Sequence, residues 1–303
     1  MKTARIIYNP TSGRETFKTG LADVLIQLEK NGYIASAHAT TKGGDATKAA
    51  QTACEIGFDL IIAVGGDGTV NEVLNGMADF EERPVLGIIP MGTVNDFASA
   101  LYIDNEIESA VDTIVNGRTM FIDIGKMNSK YFMNIAGGGK ITAVSYEAPS
   151  KLKAVIGTLA YYVKGIELLP QITSTNIRIE YDKNVFEGEV MLFLIGLTNS
   201  IGGFDKLVPD AKFNDGEFSL LFVEKVSILE LGRIMTMASR GEHLNHDKVH
   251  YAKASDIRVS SYDDVQLNLD GEFGGVLPAR FVNYQQHVAF RVPEKFYEEQ
   301  MHN

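Results

Sequence analysis

The stretch Leu60-Ile61-Ile62-Ala63-Val64-Gly65-Gly66-Asp67-Gly68-Thr69-Val70-Asn71-Glu72 constrains this chain more than any other. An apolar run leads into glycines around an aspartate, and an amphipathic run from Val70 to Met77 follows, which predicts buried strand, tight loop and helix. Glycine takes φ > 0 cheaply and, without a Cβ, lets an anion approach backbone N–H groups, while the next helix presents its positive end. The functional reading is a phosphate seat. Thr69 with Glu72 three residues later is also a capping box, so the same residues can form a capped turn that needs no ligand. Asn71 stands where a dinucleotide fingerprint wants glycine, and the chain has no G-x-x-x-x-G-K-[ST], so neither of those loops fits.

Around this stretch, strand-like and helix-like segments alternate. Strands are expected at Ala4–Tyr8, Tyr33–Ala39, Leu60–Val64 and Val85–Ile89, and helices at Phe17–Lys30, Ala46–Ile56, from Val70, at Val94–Leu101 and at Ile107–Asn116. This is the pattern of a doubly wound, mostly parallel α/β sheet with helices on both faces. Small or polar loops follow its strands: Asn9-Pro10-Thr11-Ser12-Gly13, Thr40-Thr41-Lys42-Gly43-Gly44-Asp45, Gly65 to Thr69, and Pro90-Met91-Gly92-Thr93-Val94-Asn95-Asp96. In a parallel sheet such loops share the carboxyl edge, where ligands bind. Each alone reads equally well as a helix N-cap; their convergence favours a nucleotide or phosphate site.

Past residue 118 the pattern changes. Strands are expected at Met120–Lys126 and at Tyr131–Ala136, the latter ended by Gly137-Gly138-Gly139. Further strands follow at Asn176–Tyr181, Val185–Thr198, Glu217–Val223, His250–Ser260, Val265–Leu269 and Ala279–Val292, with helices at Lys151–Leu169 and Ser227–Ser239. Many strands joined by short turns indicate an antiparallel, β-rich second domain. The expected division is 1–122 as a nucleotide-binding domain and 123–291 as a β-rich domain.

With 28 Lys and Arg against 39 Asp and Glu, the net charge is −11, which argues against a general nucleic-acid binder. The single Cys54 cannot form an internal disulfide, so a reducing, cytoplasmic setting is the default. Met1–Tyr8 reads as a first strand rather than a signal peptide. The longest apolar stretch, Val190–Leu197, is far short of the ~20 residues that span a bilayer, so any membrane contact is expected to be peripheral. Lys151, Lys153, Lys164, Arg233 and Arg240 are the local cations available for it.

Carboxylates mark two turns in the second half. Pro209-Asp210-Ala211-Lys212-Phe213-Asn214-Asp215-Gly216-Glu217 reads either as an Asx-type turn or as a hard-cation site built on Asp215 and backbone carbonyls. Leu269-Asp270-Gly271-Glu272 reads either as a surface hairpin or as a carboxylate pair, one member taking a proton from an attacking hydroxyl while the other orients it. His243 and His246 lack the further ligands that a zinc site needs. The lysine-bearing helix Lys151–Leu169 reads as a core-packed helix with snorkelling cations rather than a membrane contact.

Taken together, the four motifs Asn9–Gly13, Gly65–Glu72, Pro90–Asp96 and Leu269–Glu272 resemble the diacylglycerol kinase catalytic family, above all its soluble bacterial members, over essentially the whole chain. Gly-Gly-Asp-Gly alone is shared with NAD kinases and sphingosine kinases; the ordered set is more specific. The resemblance implies an N-terminal nucleotide-binding α/β domain, a C-terminal β-sandwich-like domain, and a final segment, 292–303, that returns to the first domain. It implies that Asn9, Pro10, Thr11, Ser12, Gly13, Arg14, Thr40, Gly66, Asp67, Gly68, Thr69, Val70, Asn71, Glu72 and Thr93 hold ATP, with Lys164 a weaker candidate. Arg14 occupies a place where relatives carry lysine, which keeps a cation near the triphosphate with a different geometry. Glu272 becomes the general base with Asp270 its partner, and Asp215 with backbone groups of Lys212 and Glu217 a structural Mg²⁺ site. Asp67 and Asp96 stay open between binding Mg²⁺ through water and holding their own loops.

The activity so implied is transfer of the ATP γ-phosphoryl to diacylglycerol, giving phosphatidic acid for phospholipid recycling and synthesis. The setting is cytoplasmic, at the inner membrane face, with room for a homodimer. The rival readings are a kinase of the same architecture acting on NAD, a sphingoid base or phosphatidylglycerol, and a nucleotide-sensing scaffold without chemistry.

Overall fold

The structure, a computed structural model, describes residues 2–12, 17–139, 173–198, 207–208 and 211–302. In chain order these form β1 (Lys2–Tyr8), α1 (Phe17–Lys30), β2 (Tyr33–Ala39), α2 (Asp45–Ile56), β3 (Leu60–Gly65), α3 (Asp67–Met77), β4 (Val85–Pro90), α4 (Asp96–Ala100) and α5 (Ile107–Asn116). There follow β5 (Arg118–Met127), β6 (Lys130–Phe132), β7 (Ile135–Gly139), β8 (Thr175–Tyr181), β9 (Asn184–Gly196), β10 (Phe218–Glu224) and α6 (Ile228–Ala238). The last elements are β11 (Val249–Ala254), β12 (Asp256–Ser261), β13 (Gln266–Leu269), β14 (Glu272–Val276), β15 (Ala279–Val292) and α7 (Glu294–His302). The expected helix Lys151–Leu169 lies outside the described residues.

The chain divides into two compact units: Met1–Ile124 with Phe213–Asp215 and Gln285–Asn303, and Gly125–Lys212 with Gly216–Tyr284. The first is the expected α/β layer structure. Its strands run β4-β3-β1-β2, with β1 parallel to both β2 and β3 and β3 parallel to β4. All six residues of β3 are buried, as a strand covered on both faces by helices requires. The far end of β15 continues this sheet, Phe290 pairing parallel with Leu86 of β4 and setting its ring edge-on to Phe97 at 5.4 Å. The chain thus re-enters the first unit at Gln285, ahead of the final segment 292–303.

In the second unit the strands are antiparallel, in the order β14-β13-β7-β9-β8-β12-β15, with β10 between β9 and β11. Its core is built on Phe132, Phe193, Phe218, Phe222 and Phe281, with Phe132 stacked on Phe218 at 5.7 Å. A smaller cluster on Leu221, Val223, Ile234 and Val249 seats α6.

Several elements depart from the sequence reading. Gly137–Gly139 are not a stop after a strand; they are the last three residues of β7, which pairs with β9 on one side and β13 on the other. A Cβ on Gly138 would meet the Phe193 ring at 2.6 Å and Leu267 at 2.9 Å, so the neighbours' side chains fill the space that glycine leaves. The expected strand His250–Ser260 is two, broken at Ser255, and β14 follows directly on the Asp270–Gly271 turn. The helix expected over Val94–Leu101 shrinks to α4 because Asn95 takes φ 57°, outside helical space.

Candidate active site

The carboxyl edge of the first unit is laced by backbone bonds from one loop to the next strand. Thr40 N–H donates to the Tyr8 carbonyl at 2.9 Å, Asn9 N–H to Val64 at 3.1 Å and Met91 N–H to Gly65 at 2.8 Å. The strand-to-helix loops therefore start level with one another. Between β1 and its two neighbours the chain order reverses, which is where open α/β sheets hold ligands. There a pocket of about 460 Å³ opens, lined by Asn9, Pro10, Thr11, Thr40, Thr41, Lys42, Gly43, Ala46, Thr69 and Glu72.

Local chemistry shapes this pocket. The Asn9 amide oxygen accepts from the Thr11 N–H and hydroxyl at 3.0 and 2.8 Å, an Asx turn that folds Pro10 and Thr11 over the strand end. Asp45 accepts from the Thr41 N–H and hydroxyl at 2.8 and 3.0 Å, and these bonds hold its carboxyl below the usual range. Glu72 is not the partner of Thr69 in a capping box. α3 begins at Asp67, two residues before Thr69, and the Glu72 carboxylate accepts from Gly44 N–H at 2.9 Å and Ala46 N–H at 3.2 Å, capping α2 instead. Glu72 is thus part of the pocket wall with its charge turned onto a helix start.

Asp67 ties the glycine loop to its neighbour, accepting from Asp96 N–H and Phe97 N–H, both at 3.2 Å, at the start of α4. Buried Asn95 completes that join, accepting from Gly92 N–H at 2.8 Å and donating to Asn105 at 2.9 Å. The two loops touch backbone to backbone: a Cβ on Gly92 would lie 2.6 Å from the Gly66 Cα, and one on Gly66 3.1 Å from the Gly92 Cα. Thr93, exposed one residue on, is carried by this contact. Of the remaining expected ATP residues, Val70 has its side chain in the core, and the Asn71 side-chain oxygen accepts from Asn75 at 3.0 Å. Ser12 closes the first turn through its N–H to the Asn9 carbonyl at 3.2 Å. Gly13, Arg14 and Lys164 lie outside the described residues.

These groups fit a nucleotide triphosphate. Gly68 is exposed in the first turn of α3, and a Cβ there would meet nothing within 4 Å, so an anion can reach the helix's positive end. Thr40 and Thr69 supply hydroxyl donors and Lys42 a cation, while the hydroxyl protons of Thr11 and Thr41 are donated to Asn9 and Asp45. Thr41 and Lys42, which no local motif singles out, also line this pocket, brought beside Thr69 and Glu72 by the β1–β2 pairing and the packing of α2 on α3.

In the second unit, Asp270 takes φ 49° and aims its carboxylate at the β6–β7 connection, accepting from Met133, Asn134 and Ile135 N–H, each at 2.9 Å. Its own N–H donates to the Ile135 carbonyl at 2.8 Å. Below it, the Asn134 side chain accepts from the Thr198 hydroxyl. Asp270 thus gives its carboxylate to three backbone N–H groups, while Glu272 is exposed at the start of β14.

For the expected Mg²⁺ turn, Phe213 and Asn214 are fastened inside the first unit. Buried Asp123 donates its N–H to the Phe213 carbonyl at 2.7 Å and accepts from Gln286 N–H at 2.7 Å, and Gln285 donates to the Asn214 carbonyl at 3.2 Å. Among the described residues no group of three or more His, Cys, Asp or Glu is poised to hold a metal. A cation here would rest on the Asp215 carboxylate, backbone carbonyls and water, a donor set that suits Mg²⁺, which keeps several waters.

Comparison with known proteins places the chain. Residues 3–127 match the diacylglycerol kinase catalytic domain, and residues 138–292 match the YegS C-terminal NAD kinase beta sandwich-like domain. A Staphylococcus epidermidis protein named diacylglycerol kinase is 59% identical over 300 residues, 99% of this chain and 95% of the relative. The chain belongs to the diacylglycerol kinase family. A second diacylglycerol kinase relative, from Staphylococcus aureus, is 58% identical over 302 residues, 100% of this chain and 96% of its own. A Bacillus anthracis crystal structure, assigned provisionally to a diacylglycerol kinase, superposes with a TM-score of 0.85 at 27% identity, over 97% of this chain and 96% of that one. Among the described residues of this family member, no helix is long and apolar enough to cross a membrane.

Proposed function

We propose that this chain is an ATP-dependent lipid kinase that moves the γ-phosphoryl group to the free hydroxyl of 1,2-diacylglycerol, giving phosphatidic acid and ADP. The observation that carries this reading is the 59% identity, over nearly the whole chain, with a protein named diacylglycerol kinase. It works in the cytoplasm and meets its acceptor at the inner membrane face.

The Asn9–Thr11 turn, Thr40–Gly43 and the first turn of α3 hold the phosphates, with Lys42 and the hydroxyls of Thr40 and Thr69 facing them. Asp67 acts at one remove by keeping the Gly66 and Thr93 loops together, and Glu72 by fixing the start of α2. Glu272, exposed at the start of β14, takes the proton of the attacking hydroxyl, whereas Asp270 already accepts three backbone N–H groups. Asp270 positions Glu272, holding the turn from which β14 starts. Asp215 with backbone groups of Lys212 and Glu217 would hold a structural Mg²⁺ that would order the region near the catalytic carboxylates.

The deciding experiment offers γ-labelled ATP to the full chain with diacylglycerol in mixed micelles, a sphingoid base, phosphatidylglycerol and NAD side by side. Label in phosphatidic acid alone is the expected result. Label in phosphorylated NAD, the acceptor that the β-sandwich match brings to mind, or in no product, would overturn it.

A further inference from the structure

We infer that Thr198 and Asn134 are positioning residues for Glu272, acting through Asp270; the inference deepens the kinase reading and rests on it for the role of Glu272. Leu269 pairs with Glu272 across β13 and β14, which leaves Asp270 and Gly271 as the two-residue loop of a hairpin. Both take positive φ, 49° and 89°, as the tightest hairpin turns demand. Glu272 therefore starts where Asp270 lets it. Asp270 in turn is held by three successive amides, Met133, Asn134 and Ile135, which converge on its carboxylate. Along a strand, successive N–H groups point to opposite sides, so three aimed at one anion form a nest that the sheet ladder does not hold by itself.

The hold comes from the end of β9. Leu197 N–H donates to the Asn134 carbonyl at 2.9 Å, and the Thr198 hydroxyl donates to the Asn134 side-chain oxygen. Asn134 thereby joins the end of β9 to the Asp270 carboxylate through its carbonyl, its side chain and its N–H. Thr198 is fully buried and Asn134 is 5% exposed, next to the core residues Leu197 and Ala136. Two apolar side chains of the same shape would cost little stability at such a place, since it is the one-sided loss of a partner that leaves a buried group unpaired. What the hydroxyl and amide add is direction. They tie Asn134 to a fixed point on β9, so the amides from Met133 to Ile135 keep their aim at Asp270 and the hairpin keeps Glu272 in place.

The test uses the full chain with Thr198→Val, Thr198→Ala and Thr198→Ser, the first two also combined with Glu272→Gln. Phosphoryl transfer is read with γ-labelled ATP and a short-chain, water-soluble diacylglycerol. Thr198→Val and Thr198→Ala should lower kcat about tenfold or more with the KM for ATP unchanged, and Thr198→Ser should restore most of it. In the Glu272→Gln background the same changes should alter the residual rate less than about twofold, because nothing is left to position once the base is gone. An equal fall in both backgrounds, the mark of a merely structural role, would overturn the proposal. So would a wild-type kcat in Thr198→Val and Thr198→Ala. Amide hydrogen exchange at Met133, Asn134 and Ile135 reads the tie without turnover: it should rise about fivefold or more in Thr198→Val and Thr198→Ala, with the β8 amides unchanged. Exchange as in wild type at all three amides would also overturn the proposal. If the wild type phosphorylates no diacylglycerol while exchange still tracks Thr198, the kinase reading falls and the tie from Thr198 to Asp270 stands. If the lipid is phosphorylated equally well by wild type and variants, the positioning role falls and the kinase reading stands.

Discussion

Asp67 in the first unit and Asp270 in the second do the same physical work across different stretches of chain. Each carboxylate accepts backbone N–H groups of a loop brought to it by the sheet. For Asp67 the partners begin 29 residues away, at Asp96; for Asp270 they lie 135 to 137 residues away, at Ile135 to Met133. A parallel α/β unit builds its site from successive loops, so the nucleotide pocket is assembled within the first half of that unit. An antiparallel hairpin such as β13–β14 gains its place only when a distant strand, β7, pairs with it. The nucleotide seat is therefore locally encoded, whereas the position of the proposed base depends on long-range closure, whose entropic cost precedes its reward.

Breaking each side separately sharpens this contrast. The largest expected effect is at Glu272: Glu272→Gln lowers kcat by about a thousandfold, within the range for loss of a general base, with ATP affinity unchanged by equilibrium titration. A turnover rate near wild type would remove the base assignment. Gly92→Ala attacks the other side, since its Cβ must displace the Gly66 backbone 2.6 Å away. The KM for ATP is expected to rise about tenfold or more through misplaced phosphate contacts, while the KM for the lipid stays put.

Asp270→Asn comes next. An asparagine can keep one oxygen for two of the amides but turns an NH₂ toward the third donor, which should cost about 1–3 kcal/mol in denaturant unfolding. A fall in kcat is expected along with it. Activity lost at full stability would instead point to a direct role in the chemistry. For Asp215→Ala the expected loss is about tenfold, partly restored by excess Mg²⁺, on the scale of a disturbed ligand shell. The same Mg²⁺ response in variant and wild type would leave the turn without a metal.

The smallest effect is a pH dependence confined to the second unit. Buried His243 bonds through Nε2 to the Leu207 carbonyl at 3.0 Å, and desolvation holds its pKa below the ordinary value. The unfolded chain then binds the extra proton first, so this contribution to stability is complete above a pH of about 6.5 and declines as the pH falls below it toward the folded pKa. The melting temperature should drop through that window, and His243→Gln should flatten the drop. A melting temperature unaffected by mildly acid pH would exclude it.

Much of the first unit was legible in the residues alone. α1, β2 and α5 fall on the expected residues because their apolar spacing, glycine stops and short connections are local signals. The pocket's loops were legible for the same reason. What local chemistry could not reveal was partner choice: Glu72 three residues after Thr69 looks like a capping box, yet its carboxylate caps α2, because the packing of α2 on α3 brings Gly44 and Ala46 within reach. Gly137–Gly139 look like a stop after a strand, and the Phe193 and Leu267 side chains supplied by β9 and β13 let them serve as paired strand residues. The alternation of elements, the glycine loop and the carboxylate motifs were thus determined by sequence. Which carboxylates are committed to backbone, and which stand at the surface, was decided by the tertiary structure, because a carboxylate's role depends on the N–H groups that folding brings to it.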